Sequence, residues 1–434
     1  MAELDVKRAL RTLTEAATAT VEVSGRGVES FRGIAIHDTR KDETLTSLVA
    51  FEEASAAVAS LALVQQRYGV HEAPRVTLQF VYEWLDRVNE PYFQEDAFDR
   101  LWEDFSAELD DPDWTFRIVA NVRGLAAQGG PFDFGDGVSI RGRSSEELRE
   151  LGFSQLVVDA LFEDFFSGFG ASSYVMLVET RVPKSPDNFI LGSVGTDRTR
   201  AFRVLGALRL LAPGDLSIGR MWMSRPARFN IGLGGVQSAG FSVPAIGSQY
   251  HLTAPLAAEV PEMVAALRHL EEHGYGTSPG NLDLALRSYM ATYDRWPSSG
   301  DSRVLDAITA VEALLGSGTE IAFKLSFRMA GVLGGDEAER VAIFREMKAY
   351  YDLRSKLVHG AALKEKHRAL LADPERLRHL VRELLRGFVH LARTPGLGYD
   401  KNWFQEHLDV ALQVESERVA LREALNLREP RQSE

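Results

Sequence analysis

The 434-residue sequence contains no cysteine. That excludes disulfides, thiolate metal sites and a cysteine nucleophile. It has no apolar run long enough to cross a bilayer as a helix. Its first residues, Met1-Ala2-Glu3-Leu4-Asp5-Val6-Lys7, carry charges where a signal peptide needs an apolar core. These absences lead to the expectation of a cytoplasmic protein with no membrane partner. Positive charge is in deficit: 49 Lys and Arg against 62 Asp and Glu give a net charge of −13. Such a balance argues against a protein that coats nucleic acid. No carboxylate cluster with metal-ligand spacing is evident, so neither a metal nor a cofactor is expected.

Apolar residues make up 45% of the chain, enough for sizeable cores, and the length allows about two or three domains. The charge is unevenly placed. Residues 95–113 hold nine acids (Glu95, Asp96, Asp99, Glu103, Asp104, Glu108, Asp110, Asp111, Asp113) against Arg100. Residues 354–393 hold ten Lys and Arg against Glu365, Asp373, Glu375 and Glu383. A basic region on an acidic protein is compatible with local phosphate binding, and equally with a solvated helix face.

The pattern predicts an α+β N-terminal domain over residues 1–255. A short helix is expected over 3–18, a strand over Ala19 to Val23 and a six-turn helix from Leu45 to Tyr68. Val76 to Leu85 reads as strand or helix. An acidic helix follows at 97–109 and a strand at 115–122. Residues 131–142 read as a hairpin turning at Gly135-Asp136-Gly137. Ser144-Ser145-Glu146-Glu147 is a capping box that starts a helix. Ser173 to Val182 reads as a strand and Arg200 to Leu211 as a helix.

Beyond residue 255 almost everything reads as helix: 259–273, 281–295, 302–316, 320–333, 337–358, 375–394 and 402–425. The short connections predict antiparallel neighbours in an all-α bundle over 256–398. A C-terminal helix and frayed tail are expected over 399–434.

Three of these helices carry a charge on the packing side. Ile343, Met347, Tyr350 and Leu357 repeat with a gap that Arg354 fills. Glu312 sits within the stripe Leu305, Ile308, Val311 and Leu315. Ile321, Leu325 and Val332 frame Arg328. A buried charge must find a partner. The set is therefore either an ion-pair network that fixes helix register or a support for a cleft around Arg354.

Arg354 and His359 lie five residues apart near a helix end. Arginine offers a planar fork of donors to phosphate oxygens, and histidine titrates near neutral pH. Together they suit RNA cleavage by the 2′-hydroxyl, which needs a proton removed, charge stabilised on phosphate and a proton returned to the 5′-oxygen. In these roles His359 is the general acid/base and Arg354 the phosphate ligand. Ser355 and Lys356 add a hydrogen bond and charge. Inside a continuous helix, however, residues five apart point about 140° away from each other. Either Gly360 ends the helix at His359 and frees that side chain, or a second copy completes the site across a two-fold axis.

At these residues the chain resembles the HEPN superfamily, whose signature is an arginine followed a few residues later by a histidine. Arg354-Ser-Lys-Leu-Val-His359 matches with four residues between. The closer resemblance is to the ApeA-like HEPN family. It rests on Tyr351-Asp-Leu-Arg-Ser-Lys-Leu-Val-His-Gly360, on Asp306-Ala-Ile-Thr-Ala-Val-Glu-Ala-Leu314, and on Glu320 with Arg328. The match covers about residues 255–395, and Val138-Ser-Ile-Arg141 and Glu179-Thr-Arg-Val182 extend it weakly into the N-terminal part. Many members carry Asn, Asp or His after the arginine, where this chain has Ser355.

The resemblance implies an all-α HEPN helical bundle that forms a homodimer. It also implies a metal-independent endoribonuclease acting on RNA, such as tRNA or mRNA, in abortive-infection or toxin-like defence against phage. Arg354 and His359 are then catalytic, with Tyr351, Glu312 and Arg328 in support. The acidic N-terminal domain would sense a phage-derived trigger or partner protein. The alternative is a non-catalytic HEPN dimer that binds a ligand or recruits a partner protein.

Other motifs carry less. His269-Leu-Glu-Glu-His273 matches an inverted zinc-protease pattern but has no third ligand nearby in sequence. Gly232 to Gly240 is glycine-rich yet lacks the Gly-Lys-Ser/Thr of a P-loop. His367, His379 and His390 are expected at the surface or in packing.

Overall fold

The structure is a computed structural model that describes residues 2–23, 39–87, 92–151, 153, 158, 161–162, 173–188, 193–224, 237–239, 247–273, 281–294, 299–316, 318–393 and 401–427. An N-terminal region with an antiparallel sheet is followed by a C-terminal helical region.

The chain begins with α1 (Ala2–Val23), α2 (Thr39–Thr46), α3 (Val49–Ala59), α4 (Ala62–Arg67), α5 (Ala73–Arg87) and α6 (Glu95–Asp110). These helices enclose a core of their own, built on Val6, Leu10 and Leu13 of α1, Phe80 and Trp84 of α5, and Phe98 and Phe105 of α6. The strand expected over residues 19–23 is instead the end of α1. The Thr18 and Thr20 hydroxyls donate to the carbonyls of Thr14 (2.7 Å) and Ala16 (2.8 Å), so threonine is satisfied without leaving the helix. The single helix expected over 45–68 is broken twice. The Ser47 and Ser60 hydroxyls donate to the carbonyls of Thr44 (2.9 Å) and Ala57 (2.6 Å), which favours a local turn over helix propagation. Residues 76–85 are helical, within α5.

Next come β1 (Asp113–Arg123), β2 (Leu125–Ala127), β3 (Phe132–Asp133), β4 (Val138–Gly142), α7 (Ser145–Glu150), β5 (Tyr174–Pro183), α8 (Ser193–Leu211), β6 (Ser217–Ser224), β7 (Gln237–Ala239) and β8 (Tyr250–Leu252). The main sheet has the order β3-β4-β5-β1-β6-β7, antiparallel throughout, and β2 pairs with β8 in parallel. Side chains alternate between the two faces. Ile118, Ala120, Val122, Met176 and Val178 pack on the helices of the main core, whereas Val119, Val175 and Leu177 enter a small cluster on the other face with Leu148 and Phe153. The expected hairpin turn is present, and it needs glycine: at Gly137 (φ +72°) a Cβ would overlap the Glu179 carbonyl oxygen. As expected, Ser144 caps α7, accepting from the Glu147 N–H at 3.3 Å.

The remainder is α9 (Ala254–His273), α10 (Leu282–Asp294), α11 (Gly300–Leu315), α12 (Ile321–Leu333), α13 (Glu337–Val358), α14 (Glu365–Ala372), α15 (Glu375–Arg393), α16 (Lys401–Ala411) and α17 (Glu415–Ala424). Helix α14 falls in a stretch with no predicted element. The expected helix 402–425 is two helices, parted at residues 412–414, where no glycine or proline marks the break. There Leu412 packs against Gly331 of α12, a close approach that the missing side chain allows. The tail from Glu429 lies outside the described residues.

One apolar core joins the helix-facing side of the sheet to α8–α17. Buried charges staple it. Arg209 of α8 grips both carboxylate oxygens of Asp294 (2.8 and 2.6 Å) and the Leu216 carbonyl (3.0 and 2.8 Å). Arg209 and Arg378 both lie over the ring of Tyr293, at 4.5 and 4.3 Å from its centroid. Asp215 accepts from Arg378 of α15 and from Arg303 of α11.

Candidate functional site

Helix α13 carries the candidate residues. It starts at Asp336, whose side chain accepts from the Glu339 N–H at 2.7 Å. Ile343, Met347, Tyr350 and Leu353 are its buried residues. The predicted stripe is therefore corrected at one position. At a period of 3.6 residues the step after Tyr350 can be three or four, and the core takes Leu353. Arg354 lies beside the core at its edge, with 31% of its side chain exposed.

The helix ends where the sequence indicates. Gly360 has φ +63°, the Ala361 N–H bonds the Lys356 carbonyl (2.9 Å) and the Gly360 N–H bonds the Leu357 carbonyl (3.4 Å). This is a Schellman closure. His359 is the C-cap and is exposed. Its own N–H still bonds the Ser355 carbonyl at 3.1 Å. The helical path thus runs through His359, which leaves it about 140° around the axis from Arg354. Helix termination alone does not bring the two side chains onto one face.

Arg354 has two neighbours from the predicted set. Its guanidinium lies 3.5 Å from the Glu312 carboxylate of α11 and 5.8 Å from the centre of the Tyr351 ring. The Tyr351 phenol also lies within the field of the Glu312 carboxylate. Burial and the Glu312 charge raise the Tyr351 pKa, so the phenol keeps its proton beside the carboxylate. Glu312 thus meets Arg354 of α13 from the neighbouring helix and places its charge next to Tyr351.

Arg328 does not join this group. It is buried and makes a bidentate contact with Asp409 of α16 (2.6 and 2.8 Å), and it donates to the Leu315 carbonyl at the end of α11. Its hydrogen bonds hold the Asp409 pKa down. Arg328 ties α11, α12 and α16 together and acts as a register-fixing ion pair.

Lys356 lies 3.2 Å from Asp352, one turn earlier on α13, and Ser355 is half-buried beside it. Asp352 is also the partner of a residue whose role the sequence did not reveal. His367 is fully buried; its Nδ1 accepts from the Lys364 N–H at 3.2 Å and its Nε2 lies 2.9 Å from Asp352. Because Nδ1 accepts, Nε2 carries the proton and donates to the carboxylate. This bond fastens α14 alongside the end of α13. The remaining histidines are elsewhere. His379 is exposed, its Nδ1 accepting from Arg382 at 2.9 Å, and His390 is half-buried on α15. His269 lies on α9, while the His273 side chain and the stretch 232–236 of the glycine-rich segment lie outside the described residues.

Among the described residues no group of three or more His, Asp or Glu side chains is arranged to hold a metal ion, and no helix is long and apolar enough to cross a membrane. Comparison with known proteins finds no matching family model, no matching curated protein and no matching solved structure.

Proposed function

We propose that the protein is an endoribonuclease of the HEPN type, acting on RNA without a metal in antiviral or toxin-like defence. The observation that carries the reading is the difference between the two arginines. Arg328 is locked by two short bonds to Asp409, whereas Arg354 is partly exposed and has one 3.5 Å contact with Glu312. A phosphate can displace a long single contact far more readily than a bidentate one. Arg354 then binds the scissile phosphate, and Tyr351 and Glu312 limit its rotamers. The exposed His359 supplies the proton chemistry: it takes the 2′-hydroxyl proton or protonates the leaving 5′-oxygen.

The angle between Arg354 and His359 favours a site shared by two copies, with Arg354 of one and His359 of the other on the same phosphate. The N-terminal region serves as the sensor of a trigger. RNA incubated with the protein in a chelator should yield 2′,3′-cyclic phosphate ends. Both Arg354→Ala and His359→Ala should abolish them, and mixing the two variants should restore part of the activity. Cleavage that persists in His359→Ala rules the reading out; no cleavage under any trigger leaves the non-catalytic binding module.

A further inference from the structure

The packing of α12 on α13 leaves aromatic rings at the surface. Phe323 of α12 is 57% exposed. Its ring is parallel to that of Phe327 (6.1 Å between centroids, 6° between planes), and Phe344 of α13 meets it edge-on at 5.8 Å. Phe327 and Phe344 are half-buried, anchored on the main core. Along α13, Val341, Phe344, Lys348, Tyr351 and Ser355 follow one another at steps of three and four and form one stripe. Val341 is exposed, at 41%. The stripe leads from the rings to Tyr351 and Arg354, about 10 Å and 15 Å along the helix axis from Phe344.

Two cations lie beside this stripe. Arg345 and Lys348 are exposed, and neither has an ion pair or hydrogen bond among the described residues. Elsewhere among the described residues cations pair with acids, as Arg87 does with Asp104 and Arg203 with Glu271. Two uncommitted cations flanking exposed rings match a strand that presents phosphates and flat bases together. A second copy of the chain fits less well, because a two-fold contact here would bring the same cations towards each other.

We propose that the rings of Phe323, Phe344 and Tyr351, with Arg345 and Lys348, form a track for single-stranded RNA that feeds the Arg354 site. Bases stack on the exposed Phe323 ring and against the half-buried Phe344 and Tyr351 rings irrespective of sequence, and the cations follow the backbone. Paired bases cannot present their faces to the rings, so the track selects unpaired RNA. This inference rests on the ribonuclease reading and specifies its substrate class.

The test measures fluorescence anisotropy of a labelled oligouridylate on the full-length protein carrying His359→Ala, with an RNA duplex as control. Phe323→Ser and Lys348→Glu lie on the open surface and are expected to leave the thermal midpoint and the sedimentation coefficient unchanged. Each should weaken oligouridylate binding roughly 5- to 20-fold. Lys348→Glu should also lower the slope of log affinity against log salt by about one. An unchanged affinity, equal binding of the duplex, or no oligouridylate binding at all overturns the proposal. So does a fall in sedimentation coefficient with Phe323→Ser, which would assign the patch to a second copy. His359-dependent cleavage with binding indifferent to Phe323 and Lys348 removes the track alone. Binding that needs those two residues, without His359-dependent cleavage, removes the ribonuclease reading and leaves the track.

Discussion

Asp352 accepts a hydrogen bond from Nε2 of His367 at 2.9 Å, and His367 is completely buried. The bond crosses from α13 to α14 and braces the turn that presents His359. Replacing His367 with Ala removes the acceptor for the Lys364 N–H and the donor to Asp352. The expected cost is about 1–3 kcal/mol. Amide exchange should accelerate most over residues 361–372, which hydrogen-exchange mass spectrometry reads directly. Uniform loss of protection across the bundle would show instead that His367 acts through general packing.

The two arginines should separate stability from activity. Arg328→Met leaves Asp409 without its partner and opens the α11–α12–α16 junction. A loss of about 2–4 kcal/mol is expected in denaturant unfolding, below the figure for a fully buried pair because Asp409 is partly solvated. Arg354→Ala should cost at most about 1 kcal/mol, since its contact is single and partly exposed. RNA cleavage, in contrast, should vanish in Arg354→Ala and survive in Arg328→Met below its unfolding midpoint. Equal activity losses at matched stability would contradict this division.

Acid should weaken the fold in two stages. Burial, then the neighbouring Arg393, holds the His390 pKa below its ordinary value, with Glu262 opposing. The unfolded chain then binds the proton first, so the stability tied to neutral His390 is complete near pH 7 and declines below about 6.5. The Asp352 and Asp409 pKa values are depressed by hydrogen bonds from His367 and Arg328. Their contribution is complete above about 4 and is lost as pH falls through the lower folded values. Urea midpoints measured from pH 7 to 3 should show both limbs, and His390→Gln should flatten the upper one. An unchanged upper limb would assign it to other groups.

Gly360→Ala forces an L-residue into the left-handed region at the end of α13. Open space surrounds the position, so the cost is conformational alone, about 1 kcal/mol. Gly360→Asn should recover part of it. Gly137→Ala should cost distinctly more, because its Cβ also meets the Glu179 carbonyl. Thermal denaturation of the three variants gives the ranking, and a reversed order would refute the argument.

Local signals were legible in the sequence wherever one residue type decides the geometry. Gly360 announced the end of α13 to the residue, Ser144 the start of α7, and Gly135-Asp136-Gly137 the turn of the hairpin. Threonine and serine misled, because the same hydroxyl can sit inside a helix, as Thr20 does, or accompany its end, as Ser60 does. The Glu312–Arg354 pairing was foreseeable from two charges in apolar stripes. The Arg328–Asp409 and Asp352–His367 pairs were not. Each needs the tertiary approach of helices that periodicity places on a face but not beside a given neighbour. Spacing also set Arg354 one step too deep, since a 3.6-residue period admits both Leu353 and Arg354 at the next contact.

The ring of Tyr293, with Arg209 on it from the sheet side and Arg378 from the bundle side, has a consequence for how the molecule comes apart. Neither region can withdraw without leaving a buried guanidinium stranded on an aromatic face. Sheet and bundle should therefore melt as one cooperative unit, with a heat capacity change set by their joint surface. The helices α1–α6 have a separate core, tied to the sheet through Trp114 of β1 and the buried Lys184–Glu108 pair, and should open in a step of their own.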